Sequence, residues 1–378
     1  MRKTATFILT LGCLVTLVGC SQSNTPAQQE ADDFAKVQDV QTSFTSLQGL
    51  PTSDTKELDG KGGTFPVGLY MPLWKQYRAH TGVNVKYAPE GSGQGISTIQ
   101  NQEGDFGASD AAMSNDQLAQ AKGGELLHIP TAFGAIAVAY NIPNLQARLK
   151  LTGDQLAGIY IGAIRYWDDP ALVSTNPELS GRHEMIIAVH RGDNSGTTFG
   201  FTSFLSSNAS WRSSYGTGTA LYWPVGLGVA GNDGVAAALA QNPYSIGYTD
   251  LNFAAKKKIA TALVKNSSGN FIEPTLDSVT ASVLSAIPSG LDLRLNLINT
   301  SGKESYPITT ATYIIVYKNQ SDKNKGTALA GMLWWMTHDG QSVSKSLLYA
   351  PVPPALTAKS EQLIREINFK GQPLVTKQ

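Results

Sequence analysis

From Gly60 to the C-terminus, strand-like and helix-like apolar patterns alternate, and this alternation constrains the chain to an α/β architecture with parallel strands. Pro66 opens one helical pattern, Val67, Tyr70, Met71, Trp74 and Tyr77 carry it at helix spacing, and Thr81-Gly82 ends it. Val83, Val85 and Tyr87 then alternate as a strand does. Ser114 with Gln117, and Thr152 with Gln155, have the spacing of capping boxes before apolar helices. Further strands are predicted over 133–140, 186–190 and 313–317. A body of about 320 residues is long for a single core and suits two lobes.

Three turns rich in glycine and hydroxyl groups fall where strands hand over to helices. They are Gly91-Ser92-Gly93-Gln94-Gly95, the turn 104–110 that ends on Asp110, and Arg191-Gly192-Asp193-Asn194-Ser195-Gly196-Thr197. In an open α/β sheet this edge is where ligands bind. Hydroxyls, bare glycine amides and a guanidinium all donate hydrogen bonds to a tetrahedral oxyanion, and helix starts add unpaired amides. A carboxylate repels such an anion unless the anion carries a proton. Asp110 therefore points to a protonated oxyanion. Each turn alone has a plainer reading: a solvent connection at 91–95, an ion pair of Arg191 with Asp193, a turn cap at Asp110.

The N-terminal region reads as a targeting segment. Met1-Arg2-Lys3 is basic, residues 7–18 form an apolar run short for a membrane span, and Leu17-Val18-Gly19-Cys20 resembles the lipobox of bacterial lipoproteins. This gives a signal peptide over 1–19 and a lipidated Cys20. The chain has two cysteines, Cys13 and Cys20, so a form beginning at Cys20 has no pair to oxidise. From Cys20 to Asp59 the polar composition predicts a flexible tether, in which 32–48 can form a weak helix. No later stretch is apolar enough to span a membrane. The five histidines lack zinc-site spacing, and no metal or cofactor is expected. With 29 basic and 29 acidic residues and no basic cluster, nucleic acid is not an expected partner.

With Gly62-Gly63-Thr64-Phe65-Pro66, Gly231-Asn232-Asp233-Gly234 and Tyr306-Pro307-Ile308-Thr309 added to the three turns, the body resembles the phosphate-binding proteins of bacterial Pst-type ABC transporters. The resemblance implies a two-lobed periplasmic-binding-protein (Venus flytrap) fold, type II-like, with phosphate in the interlobe cleft. Lobe I would comprise 60–132 and 309–378, and lobe II 133–308, with crossings near Pro130-Thr131 and Ile308-Thr309. The implied phosphate contacts are Thr64, the Phe65 amide, Ser92, Asp110, Arg191, Ser195, the Gly196 amide and Thr197, with Asp193 orienting Arg191. The implied protein is a monomer without enzymatic activity. It is held by the lipid on Cys20 at the outer face of the cytoplasmic membrane or in the periplasm, takes arsenate as a phosphate mimic, and delivers phosphate to the permease subunits.

Two other readings remain at this level. One is a binding protein for a different oxyanion, sulfate or molybdate. The other is a serine hydrolase with Ser195 as nucleophile and His183 or His190 as base, since the 192–196 turn loosely resembles a protease signature.

Overall fold

The computed structural model describes residues 42–376. Cys20, the expected signal peptide and the first part of the expected tether lie outside them. In chain order, the elements that position the site are β1 (Glu57–Gly62), α1 (Val67–Thr81), β2 (Asn84–Ala88), α2 (Ser92–Asn101), β3 (Phe106–Ser109), β4 (Leu126–Asn141), β5 (Ile187–Arg191), α3 (Gly196–Leu205), β6 (Leu227–Val229), α4 (Gly231–Gln241), β7 (Ser245–Asp250), β8 (Thr309–Tyr317) and α5 (Lys323–Thr337).

Local sequence explains the boundaries. Helix α1 starts after Pro66, which has no amide to lose, and buries Leu69, Tyr70, Leu73, Trp74 and Tyr77 on one face. It stops at Gly82, whose left-handed φ of 75° lets its amide return to the Arg78 carbonyl at 2.8 Å. Both expected capping boxes form, at Ser114 with Gln117 and at Thr152 with Gln155. The helix after Ser114 is only Asn115–Ala119 and buries nothing, so it is not the apolar helix expected there.

These strands form one sheet in the order β2–β1–β3–β8–β4–β7–β5–β6. Strands β1, β2 and β3 pair in parallel, as do β5, β6 and β7, but β8 and β4 run antiparallel to each other and to the triplets they meet. The expectation of parallel strands thus holds for each triplet and fails between them. The reason is connectivity: the chain passes out of the first half on β4 and returns on β8, so the two crossings oppose one another. Residues 126–135 of β4 face β8, whereas 136–141 face β7. A single sixteen-residue strand therefore belongs to both halves, and the molecule is two-lobed along it.

Each half has its own core. In the first, Trp74 packs against Phe106 and Tyr70, with ring centres 5.8 and 4.7 Å apart. In the second, Val235 and Leu239 of α4 pack on Ala139 and Val189 of the sheet. Burying each large aliphatic side chain is worth about 1.5–3 kcal/mol, so these contacts outweigh weak local propensities. Among the described residues no helix is long and apolar enough to cross a membrane.

The expected tether needs correction over 42–59, nearly half of its length. Strand β1 begins at Glu57, not beyond Asp59, and residues 42–48 are not helical. Leu47 is buried, Trp335 Nε1 donates to the Ser43 carbonyl at 3.1 Å, and Thr376 N donates to Gly49 O at 3.0 Å. Composition hid this. A segment can be polar on average yet be fixed by one apolar anchor and a few backbone bonds.

Candidate functional site

The C-terminal ends of β1, β3, β5, β6 and β7 all open toward one region, and four helices begin there. Ser92 is the first residue of α2 and Ser195 caps α3, its Oγ accepting from Thr198 N at 3.1 Å. Thr64 and Phe65 precede α1. Helix starts leave amides without intrahelical partners and carry partial positive charge.

Asp110 sits at the centre, 6% exposed. Its Oδ1 accepts from Thr312 Oγ1 at 2.7 Å, its Oδ2 from Ser92 Oγ at 3.2 Å, and its own amide donates back to Ser92 Oγ at 3.0 Å. Burial pushes this carboxyl up to about 6, against the bonds from Thr312 and Ser92 and the charge of Arg191, which pull it down. At neutral pH it remains mostly an acceptor. A side chain at Gly63 would lie 2.8 Å from Asp110 Oδ2, and one at Gly196 would lie 2.5 Å from Ser92 Oγ. The two glycines let backbone from both halves approach the same carboxylate.

Arg191 is buried at 2% exposure and held on two edges. Asp193 accepts from its Nε at 2.6 Å and from its Nη2 at 2.5 Å, and Thr197 Oγ1 lies 3.5 Å from Nη1. Burial disfavours the Asp193 charge, but the bonds and charge of Arg191, with the Gly231 amide, bring its pKa below the ordinary value. Asp193 therefore fixes the Arg191 guanidinium along one edge.

The turns also touch across the sheet. Gly93 N donates to Asn194 O at 3.4 Å, and Asn232, fully buried at the start of α4, reaches Thr64 Oγ1 from its side-chain Nδ2 at 3.2 Å and from its amide at 3.3 Å. The same Nδ2 donates to Thr197 Oγ1 at 3.2 Å. Every site residue expected from sequence, Thr64, Phe65, Ser92, Asp110, Arg191, Asp193, Ser195, Gly196 and Thr197, thus lies on this one set of turns.

Sequence reading missed Thr312, which looked like any strand threonine, and Asp250 and Tyr349, which carried no motif. Asn232 fell inside a landmark segment without an assigned role. The hydrolase arrangement does not assemble. His183 pairs with Asp168 at 3.1 Å at the surface, and His190 bonds to its neighbour's carbonyl and stacks on Trp223, while Ser195 is occupied in capping α3.

Residues 51–339 match the model of the PBP superfamily domain. The phosphate-binding protein PstS of Xylella fastidiosa is 34% identical over 358 residues, covering 93% of this chain and 96% of that protein. The PstS protein of Pasteurella multocida is 35% identical over 311 residues, covering 82% and 90%. Among solved structures, a phosphate-binding protein from Stenotrophomonas maltophilia superposes with a TM-score of 0.63 at 19% identity, covering 81% of this chain and 93% of that one, a likeness of fold. By superfamily match and by sequence identity over nearly its whole length, the chain belongs to the PBP superfamily, in the family of the PstS phosphate-binding proteins.

Proposed function

We propose that the chain captures inorganic phosphate in the cleft between its lobes and passes it to the permease of an ABC transporter. The observation that carries this reading is the setting of Asp110. One buried carboxylate stands among donors that otherwise favour an anion: Thr64, Ser92, Arg191, Ser195, Thr197 and the amides of Phe65 and Gly196. Such a set suits an oxyanion that donates one hydrogen bond and accepts the rest. Phosphate and arsenate keep a proton at neutral pH, whereas sulfate has none to offer Asp110. The names of the relatives support the same ligand.

The protein acts as a carrier and catalyses no reaction. Lobe I is formed by 60–132 with 309–378, extended back to include β1, and lobe II by 133–308. The chain works as a monomer, held to the membrane by the lipid on Cys20, outside the cytoplasm. Titration calorimetry with phosphate tests the core of this reading. One phosphate per chain is expected, and heats no larger than dilution at millimolar phosphate would refute it.

A further inference from the structure

Asp250 ends β7 with no exposed surface, and its carboxyl meets Tyr349 from the C-terminal part of the chain. The Tyr349 hydroxyl oxygen lies 2.5 Å from Asp250 Oδ2 and 2.7 Å from the Phe65 carbonyl oxygen. A phenol carries one hydrogen and a carbonyl carries none. Both short contacts are hydrogen bonds only when Tyr349 donates to Phe65 and Asp250 donates to Tyr349. A hydrogen must then sit on Asp250 Oδ2, because Oδ1 already accepts from Asn252 N at 2.9 Å.

The surroundings favour that hydrogen. Burial is the largest influence and pushes the Asp250 carboxyl up to about 7. The bond from the Asn252 amide opposes the rise, as would one from Tyr349 if its hydrogen turned to the carboxylate; the negative charge of Asp110 adds to it, and Lys256 subtracts from it. Tyr349 is itself held neutral, raised well above its ordinary value first by burial, with the charge of Asp110 adding to the rise. Helix α1 rests on the pair through a bare backbone: a side chain at Gly68 would lie 3.1 Å from the Tyr349 hydroxyl and 2.9 Å from Asn252 Oδ1.

We propose that Tyr349 and a protonated Asp250 are positioning residues for the anion site. The proton they share fixes the Phe65 backbone at the start of α1, joins it to β7 of the other lobe, and couples ligand affinity to its own retention. This rests on the reading of Thr64 and Phe65 as phosphate contacts. When Asp250 ionises, the one Tyr349 hydrogen turns to the stronger, charged acceptor. The buried Phe65 carbonyl then loses its partner, and the Phe65–Pro66 peptide, next along the chain from the Phe65 amide, is released.

The test uses the full chain in two readouts. Aspartate-selective 13C carboxyl NMR should show one carboxyl that titrates near neutrality and vanishes in Asp250→Asn. Phosphate affinity measured from pH 6 to 9 should fall more steeply in the parent than in Asp250→Asn, by at most an extra tenfold per pH unit above the pH at which that signal titrates. Phosphate's own ionisation is common to both proteins and cancels in the comparison. If Asp250→Asn does not fold, Tyr349→Phe assigns the signal by shifting it and should weaken phosphate binding. A carboxyl signal for Asp250 that is fully ionised at pH 6 overturns the proposal. Coincident affinity profiles overturn the coupling. Failure of the parent to bind phosphate at every pH removes the phosphate reading instead, and the NMR titration still decides the proton.

Discussion

The Arg191 guanidinium is gripped along one edge by the Asp193 carboxylate, with Nε to Oδ1 at 2.6 Å and Nη2 to Oδ2 at 2.5 Å. The pair is close to neutral as a unit, so an anion beside it meets less net positive charge than a free arginine would supply. In the proposed site, neutral donors from helix starts and hydroxyls would then carry much of the anion's charge, as a dehydrated site requires when a buried unpaired polar group costs about 1–3 kcal/mol.

Arg191→Ala removes a charged donor and leaves the Asp193 carboxylate unpaired beside the anion, so it should weaken phosphate binding by at least about 1.5–3 kcal/mol, above the roughly 1 kcal/mol expected for Ser195→Ala. The serine variant should also lower stability, by about 1 kcal/mol, because Ser195 caps α3. Calorimetry and urea unfolding separate the two effects. Undiminished binding in the double variant would place the site elsewhere.

Gly196→Ala is expected to act through space alone. The added carbon would lie 2.5 Å from Ser92 Oγ and 2.7 Å from Asp110 Cβ, so the turns from the two halves would have to part. Phosphate affinity should fall at least tenfold, about 1.4 kcal/mol, while the unfolding midpoint changes little. An alanine variant that binds as well as the parent would show that these turns do not close on the ligand.

Acid and base should move stability in a defined direction. Asp110 and Asp250 are raised from 3.8 to about 6 and about 7, first by burial, so the folded chain binds more protons than the unfolded chain between these values. Their contribution is fully present below about pH 4 and is lost as pH rises through 6 and then 7. The lowered Asp193 acts only at the acid end, but His128, lowered by burial to about 4, and His190, also lowered by burial, add stability as pH rises toward 6.5 and so offset part of this fall. Urea unfolding without phosphate should show a parent midpoint that falls relative to that of Asp110→Asn between pH 5 and pH 7, because the histidine contribution is common to both proteins.

Replacing Cys20 by Ser should release the protein from the membrane fraction, since the proposed anchor is the lipid on that residue. A variant that stays wholly in the membrane fraction without lipid label would contradict the anchor.

Much of this arrangement was legible because it is local. Pro66 and Gly82 mark the ends of α1, and the boxes at Ser114 and Thr152 need only four residues each. Strand β4 was harder. Its run 126–141 was read as 133–140 because Pro130 and the polar His128 and Thr131 break the apolar pattern, and a proline argues against a central strand. Here Pro130 lies beside the register shift of β8 at Thr312, where the ladder tolerates a missing donor. Thr312 itself meets Asp110 from 202 positions away, and Tyr349 meets Asp250 from 99. No local spacing encodes such pairs. They exist only once β8 lies against β3 and the C-terminal segment packs beneath α1.

The central claim is that Asp110 recognises a proton on the ligand, and competitive calorimetry of phosphate and sulfate on the parent and on Asp110→Asn tests it most directly. The parent should prefer phosphate by ~10^4-fold, because sulfate leaves a buried carboxylate facing an unprotonated oxygen. In Asp110→Asn the amide can accept from phosphate or donate to sulfate, so phosphate binding should persist and the preference should collapse. A variant that excludes sulfate as strongly as the parent does would contradict the account.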